Sequence, residues 1–128
     1  MQKDLDVVLF GEAMAMFIAD DYLPLEEADH YTRAMAGAEL NVSVGLERLG
    51  YRVGWISRLG ADPLGRYLLH QVRQAGLDTT RVLFDERYPT GFQLKSRVRE
   101  GNPWLSISAK ALLQAIWPPI REGDWAQP

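Results

Sequence analysis

The segment from Gly37 to Asn41 has residue types suited to holding a small ligand at the start of a helix. Gly37 and Ala38 have little or no side chain, so a ligand can approach the backbone beside N–H groups that lack a partner within the helix. The amide of Asn41 lies in the first turn and can point the same way. The segment therefore predicts a site for a hydroxyl-rich or anionic molecule, although such Gly-Ala turns also occur for packing alone.

Glu12 is a second candidate ligand-binding residue. It follows the apolar run from Val7 to Phe10 and Gly11, a pattern that predicts a strand buried on both faces. In open α/β sheets, ligands gather at the carboxyl ends of the strands. We therefore expect the Glu12 carboxylate to face a ligand; the alternative is a solvated charge in a loop.

Composition excludes several classes of function. The chain of 128 residues has no cysteine, so disulfides and thiolate chemistry are excluded. A net charge of −3 with interspersed signs predicts no nucleic-acid partner. The N-terminus lacks a signal-peptide pattern and every apolar run is too short to span a bilayer, so we expect a cytoplasmic protein without membrane contact. His30 and His70 have no partner at metal-ligand spacing, and we assign no metal-binding residue.

Hydrophobic patterning predicts the elements that position these residues. Apolar runs ending on glycine or proline alternate with helical patterns, which indicates an α/β fold with a parallel sheet and an antiparallel elaboration. The predicted strands are Val7–Phe10, Ala15–Ala19, Thr32–Ala36, Arg52–Gly60, Arg81–Phe84 and Phe92–Val98.

Two helices are predicted, each with a recognisable end. The first follows Gly37 and stops at Gly50, where glycine can adopt a left-handed cap; its predicted buried face is Val42, Gly45, Leu46 and Leu49. The second begins at Asp62-Pro63, an N-cap carboxylate followed by proline at the first helical position, and ends at Gly76. Gly65, one turn into this helix, indicates close approach to another group.

Three glycine-containing segments together resemble a known family. Gly11-Glu12, residues 37–50 and residues 60–65 resemble the N-terminal half of the ribokinase-like, pfkB-type carbohydrate kinases, over residues 4–103. Residues 37–41 with Thr90-Gly91 are most similar to the 2-keto-3-deoxygluconate kinases. The resemblance implies a ribokinase-like (Rossmann-like) α/β fold, with a mostly parallel sheet, helices and a small β lid, of which this chain is the N-terminal portion.

The resemblance also implies a reaction and a set of substrate-binding residues. Members phosphorylate a sugar hydroxyl with ATP and Mg²⁺, mainly by positioning and electrostatic stabilisation. Their base is an Asp in a late Gly-Ala-Gly-Asp motif, which this sequence lacks together with the nucleotide-binding half. We therefore expect an inactive chain with no catalytic residue, and expect any self-association to use the lid. The residues implied to bind the small-molecule sugar acid are Gly37, Ala38, Glu39, Leu40, Asn41, Glu12 and Gln93; Gln93 stands where relatives often carry an aromatic residue.

The resemblance stops at Trp104, and a change of reading frame can explain why. One permitted set of codons for residues 106–117, read from the third base of the first codon, translates as Tyr-Phe-Arg-Lys-Gly-Ser-Ala-Ala-Ser-His-Leu, the strand that the family carries there. We therefore predict a kinase portion at 1–103 and a frameshifted, aberrant tail at 104–128 that is disordered or aggregation-prone; the alternative is a genuine C-terminal helix. The shifted strand would restore the Tyr and Arg that relatives use on the substrate.

Two alternative functions remain open from the sequence. One is another pfkB-type kinase with fructokinase-like or ribokinase-like specificity. The other is a non-catalytic sugar-binding α/β module that kept the sugar-binding corner and lost the ATP half. Ligand binding by this chain, measured beside ATP turnover, distinguishes these possibilities.

Overall fold

Two β-sheets and two helices make up residues 4–108, the part of the chain described by this computed structural model. In chain order the elements are β1 (Val7–Phe10), β2 (Met14–Ala19), β3 (Tyr31–Ala36), α1 (Ala38–Arg48), β4 (Val53–Gly60), α2 (Pro63–Gln74), β5 (Val82–Asp85), β6 (Phe92–Lys95) and β7 (Leu105–Ser108).

The core sheet consists of β1, β4 and β5, all parallel, with β4 in the centre. Parallel neighbours require crossover connections, and the chain makes them through α1 and α2, which pack on one face of this sheet. Removing the apolar side chains between sheet and helices from water supplies the main stabilisation. The buried core is Ala13, Leu40, Val44, Val53, Trp55, Leu59, Leu68, Val72 and Leu77.

The lid sheet has the strand order β3-β2-β6-β7 and mixed directions. Strand β2 runs antiparallel to β3 and parallel to β6, and β6 forms an antiparallel hairpin with β7. The Arg33 guanidinium of β3 lies 3.7 Å from the ring centre of Tyr67 in α2, which joins the lid sheet to the core by a cation–π contact. The predicted α/β architecture, with a parallel sheet and a small lid, is confirmed.

The predicted buried face of α1 is wrong except at Leu46, which packs against the core. Val42 and Leu49 are 53% and 76% exposed, while Leu40, Ser43 and Val44 are buried. Ser43 can lie in the core because its hydroxyl donates a 2.8 Å hydrogen bond to the Glu39 carbonyl one turn earlier. A buried serine in place of an apolar residue hid the true face from the hydrophobic pattern.

The predicted ends of the helices are confirmed. Gly50 has a φ of 93°, and its N–H donates to Glu47 while that of Tyr51 donates to Leu46, the two bonds of a Schellman cap. Asp62 caps α2 by accepting from the Gly65 N–H at 2.8 Å, and Pro63 is the first helical residue.

The start of the predicted tail has regular structure. Residues 104–108 were expected to be disordered, yet β7 pairs with β6, and the Trp104 N–H donates to Ser96 Oγ at 2.7 Å. An alternating apolar and polar pattern is sufficient for an edge strand next to β6. The rest of the tail, where a C-terminal helix is the alternative to disorder, lies outside the described residues, and the domain boundary at 103 stays a prediction.

Candidate functional site

The start of α1 presents free backbone donors. Gly37 is the N-cap, no side chain caps the helix within residues 4–108, and the first intrahelical bond runs from Asn41 N to Gly37 O at 2.9 Å. The N–H groups of Ala38, Glu39 and Leu40 are therefore available to a ligand, and the helix dipole favours an anionic one. The Leu40 side chain is buried in the core, so only its backbone can take part. Asn41 is exposed.

Gly37 is required by its backbone and by its neighbour. Its φ of 150° is one that residues with a side chain rarely adopt. A Cβ at this position would lie 2.6 Å from the Glu12 carbonyl oxygen. The glycine thus lets the end of β3 pass directly against the end of β1, which brings Glu12 beside the start of α1.

Glu12 carries a buried oxygen without a hydrogen-bond partner in the described residues. That atom is Oε1. Burial raises the pKa of the Glu12 carboxyl, and the nearby negative charge of Glu39 raises it further. The Glu39 side chain lies over Gly11, where a Cβ would come within 2.8 Å of Glu39 Oε2. Two carboxyl groups therefore adjoin at the carboxyl end of β1, and the half-buried Glu12 takes up a proton more readily than a free carboxyl group does, which would allow it to donate a hydrogen bond.

The backbone beneath Glu12 is held by the central strand. The Ser57 hydroxyl donates to the Gly11 carbonyl at 2.6 Å, and Gly11 N–H donates to Ile56 O at 3.2 Å. Ser57 is 2% exposed, so this bond is shielded from water. The hydrophobic pattern did not identify Ser57, because a serine inside a strand gives no signal of the carbonyl that it contacts.

Gln93 lies in β6 of the lid sheet. It is buried, lies opposite Met16 of β2 and Ile107 of β7, and contacts Met14 Sδ through Nε2 at 3.8 Å. Met14 in turn pairs with Ala36, the residue before Gly37. The structure thus links Gln93 to the start of α1 through β2 and β3. Assignment of Gln93 and of residues 37–41 to substrate binding stays a prediction.

Asp62 and Thr90 form a cluster that sequence reasoning missed. The Asp62 carboxylate accepts from both the backbone N–H and the hydroxyl of Thr90, each at 2.8 Å. From the sequence, Asp62 is predicted as a helix cap, and both Asp62 and Thr90 lie in segments that carry the family resemblance, but no pattern indicates a contact between them. No spacing rule connects positions that lie 28 residues apart.

Other ligand classes have weaker support in the described residues. Residues 4–108 contain no group of three or more His, Cys, Asp or Glu side chains that could hold a metal ion. His30 and His70 are both exposed. Within the same range, neither helix has the length and apolar character needed to cross a bilayer.

Comparison with known proteins identifies the family. The sequence model of the pfkB family carbohydrate kinases matches residues 4–124. This chain belongs to the pfkB family. The match includes the glycine segments that position Glu12 and the start of α1, and it extends past residue 103.

Several pfkB relatives are similar to this chain. The 2-dehydro-3-deoxygluconokinase of Bacillus subtilis (strain 168) is 46% identical over 107 residues, which cover 83% of this chain and 33% of the relative. The 5-dehydro-2-deoxygluconokinase of Geobacillus kaustophilus (strain HTA426) is 31% identical over 86 residues, covering 66% and 26%. The chain therefore spans about a third or less of the length of these relatives.

Solved structures of pfkB proteins and sugar kinases have the same fold. A PfkB protein from Polaromonas sp. JS666 superposes with a TM-score of 0.81 at 48% identity, covering 84% of this chain and 36% of that one. A sugar kinase from Pyrococcus horikoshii in complex with ATP gives a TM-score of 0.74 at 27% identity, covering 80% and 33%. The ribokinase-like resemblance read from the sequence is thus confirmed.

Proposed function

We propose that this chain is the substrate-binding part of an ATP-dependent kinase that phosphorylates 2-keto-3-deoxygluconate, also called 2-dehydro-3-deoxygluconate. The observation that carries the proposal is the 46% identity to a 2-dehydro-3-deoxygluconokinase, against 31% to a 5-dehydro-2-deoxygluconokinase. The proposal includes a cytoplasmic location, where ATP is available.

The start of α1 provides donors for the acidic sugar. The free N–H groups of residues 38–40 suit the substrate's carboxylate or hydroxyl oxygens, and the helix dipole adds attraction for the negative charge. Asn41 is exposed in the same first turn and can add an amide hydrogen bond.

Glu12 contributes a different kind of contact. An ionised carboxylate beside Glu39 would repel an acidic substrate, whereas a protonated Glu12 donates a hydrogen bond to it. Burial and the Glu39 charge, which raise the pKa of Glu12, favour that protonated form. Gln93 would complete the site from the lid, where its amide can both donate and accept.

The proposed reaction transfers the γ-phosphoryl group of ATP to a sugar hydroxyl. Bound Mg²⁺ would neutralise the charge on the phosphates. We assign neither ATP nor Mg²⁺ to any residue between 4 and 108. A catalytic Asp would lie in the part of the relatives that this chain does not match, so we expect no turnover from the chain alone.

The proposed frameshift has a structural counterpart in β7. The Tyr codon of the shifted reading overlaps the codon for Ile107, and Ile107 lies opposite Gln93 in the hairpin. Because side chains two apart on a strand share a face, the Tyr and Arg of the shifted strand would both point to one side of the lid sheet. Sequencing the gene across residues 99–128 and onward tests this hypothesis. Codons that forbid the shifted reading would overturn it.

Self-association through the lid is part of the proposal. Leu105 and Ile107 in β7 are 47% and 54% exposed, which leaves apolar surface on this sheet. Sedimentation of the chain at increasing concentration should reveal a dimer that Ile107→Lys abolishes. A monomer at every concentration would contradict this part.

Binding calorimetry tests the substrate assignment. We expect 2-keto-3-deoxygluconate to bind more tightly than fructose or ribose, and Asn41→Ala to weaken its binding by about tenfold, the loss expected for a hydrogen bond to a charged group. Asn102→Ala is the matched control, because Asn102 is also exposed but lies in the β6–β7 loop. Tighter binding of fructose would favour a fructokinase-like protein. Tight sugar-acid binding with an intact reading frame would favour a non-catalytic binding module.

A further inference from the structure

Between residues 4 and 108 the chain passes between the core sheet and the lid sheet three times. The first and second passages, residues 11–13 and Gly37, lie against each other, since a Cβ on Gly37 would be 2.6 Å from Glu12 O. The third passage, residues 86–91, leads from β5 into β6 and carries Thr90. It is the third covalent connection between the two sheets, and its Gly91 carbonyl accepts from Ala15 N of β2 at 3.1 Å. Because it leads directly into β6, its geometry affects the position of that strand.

Thr90 is held by a single carboxylate. Asp62 Oδ2 accepts from Thr90 N, and Asp62 Oδ1 accepts from Thr90 Oγ1, each at 2.8 Å. The Thr90 hydroxyl also accepts from Gly60 N at 3.0 Å. A helix cap needs only one oxygen, and Gly65 N already supplies that bond to Oδ1 at 2.8 Å. The other oxygen, Oδ2, accepts from the Thr90 N–H.

The surroundings make this contact rigid. Thr90 is 5% exposed, and side chains are absent at Gly60 and Gly65, where a Cβ would overlap Thr90 N and Gly60 O respectively. Backbone segments from β4, α2 and the third passage therefore meet without intervening side chains. Burial raises the pKa of Asp62, but the hydrogen bonds from Thr90 and Gly65 outweigh it and leave the pKa lowered. The charged form that all these donors require is thus the form present near neutral pH.

We propose that Asp62 is a positioning residue that holds Thr90, as a latch, at the start of α2 and thereby sets the position of β6, including Gln93, relative to the core sheet. Gln93 follows Thr90 by three positions and lies in β6, so a shift of the third passage moves it directly. Only the consequence for ligand affinity rests on the proposed function. The latch itself is a property of the fold.

Two substitutions at Asp62 separate latching from helix capping. Asp62→Ser keeps an oxygen that can cap Gly65 but cannot also reach the Thr90 N–H. Asp62→Asn keeps one acceptor oxygen but replaces the other by an NH₂ group. An NH₂ group only donates hydrogen bonds, so it cannot accept the Thr90 N–H. In both variants we expect amide exchange at Thr90 to accelerate by about tenfold or more, the effect of losing a hydrogen bond to a charged acceptor, while the amides of α2 stay protected. Unchanged exchange at Thr90 would overturn the proposal.

Distance measurements report the position of the lid. The chain has no cysteine, so His70→Cys on α2 and Ser106→Cys on β7, both exposed, provide unique sites for a pair of spin labels. We expect one narrow distance distribution in the parent and a broadened or displaced one with Asp62→Asn or Thr90→Val. Thr90→Ser restores the hydroxyl and should restore the narrow distribution. An identical distribution in all variants would refute a positioning role, because a helix cap alone does not predict the rescue by serine.

Titration with 2-keto-3-deoxygluconate completes the test. We expect the Kd to rise by about tenfold in Asp62→Asn and Thr90→Val and to stay within about twofold in Thr90→Ser. A less organised site loses more conformational entropy when it binds a ligand, which weakens binding. Equal Kd values together with altered label distances would refute the link to the site but keep the latch. If the parent does not bind, the proposed function fails for this chain, and the label distances still decide the latch.

Discussion

Gly65→Ala should destabilise the chain although helix propensity predicts the opposite. In a helix interior, alanine is favoured over glycine by about 1 kcal/mol. Here the added Cβ would overlap the Gly60 carbonyl oxygen and come within 3.0 Å of Thr90 Oγ1. A backbone oxygen in a central strand cannot move cheaply, and overpacking of this kind costs about 1–3 kcal/mol, to which disturbance of the Thr90 hydrogen bonds adds about 1 kcal/mol. After the gain of about 1 kcal/mol in helix propensity is subtracted, we expect a net loss of about 1–3 kcal/mol.

Gly45→Ala provides the matched control within the same chain. Gly45 lies in the middle of α1, is exposed, and has nothing within 4 Å of an added Cβ. The same substitution there should stabilise the chain by about 0.5–1 kcal/mol. Urea and thermal unfolding followed by circular dichroism measure both; the Tm should fall by about 4–12 °C for Gly65→Ala and rise by a few degrees for Gly45→Ala. Equal stabilisation by the two variants would refute the close approach at Gly65.

Four further measurements follow from individual contacts. Glu12→Gln should raise the Tm by a few degrees at pH 7, because burial and a neighbouring charge raise the pKa of Glu12 and disfavour its ionised form. The gain in Tm should shrink as the pH falls through that raised pKa. A lower Tm of the variant at pH 7 would contradict this reasoning. Asp6 and Asp85 both have a pKa lowered to about 2 by hydrogen bonds from arginines, so the urea midpoint should fall between pH 4 and 2, and it should fall less when both are replaced by Asn. Ser57→Ala should cost about 1–2 kcal/mol in urea unfolding by leaving a buried carbonyl unpaired; a loss below about 0.5 kcal/mol would indicate that another donor reaches it. Leu83→Thr should reduce binding of a hydrophobic dye while changing stability by about 0.5 kcal/mol or less, because Leu83 is 55% exposed; unchanged dye binding would locate the accessible apolar surface elsewhere.

The order of strands and helices could be predicted because each one is bounded by a strong local signal. The run from Val7 to Phe10 is short and apolar and is followed by a glycine, which is typical of a strand. Asp62-Pro63 predicts a helix start, because Asp62 offers a side-chain acceptor and Pro63 has no backbone N–H that would need a partner. These signals depend on neighbours in sequence, so they hold whatever the tertiary structure does. The strand boundaries differ from the prediction by a few residues, as for β6, which ends at Lys95 rather than Val98.

The buried face of α1 could not be predicted from hydrophobicity. Val42 and Leu49 are apolar and exposed, while Ser43 is polar and buried, so the periodic pattern indicated a different face from the one that packs. Which face packs depends on the exit of the chain from Gly37, and that exit is fixed by the contact with Glu12, a residue of another element. The pattern that predicts a helix therefore does not always predict its orientation.

Only those parts of the candidate site that are formed by neighbours in sequence could be predicted from the sequence. The free donors at the start of α1 follow from a glycine before a helix, but the latch between Asp62 and Thr90 depends on two elements meeting in space. Sequence identifies Asp62 by its role in its own helix, and that role occupies one oxygen. The second oxygen carries the contact that no local pattern indicates.

Two buried polar atoms lack a partner in residues 4–108, and their settings differ. Trp55 Nε1 belongs to a side chain within the apolar core, where packing of the large ring outweighs one unmade hydrogen bond. Glu12 Oε1 belongs to a carboxyl group at the carboxyl end of a strand, beside a second carboxyl group and an uncapped helix start, where no comparable packing offsets its burial. A fold selected for stability alone would replace Glu12 by a neutral residue. The stability that the free chain loses by burying Glu12 Oε1 without a partner is explained if a ligand oxygen forms that hydrogen bond. Proteins keep such unpaired buried polar groups mainly where function requires them.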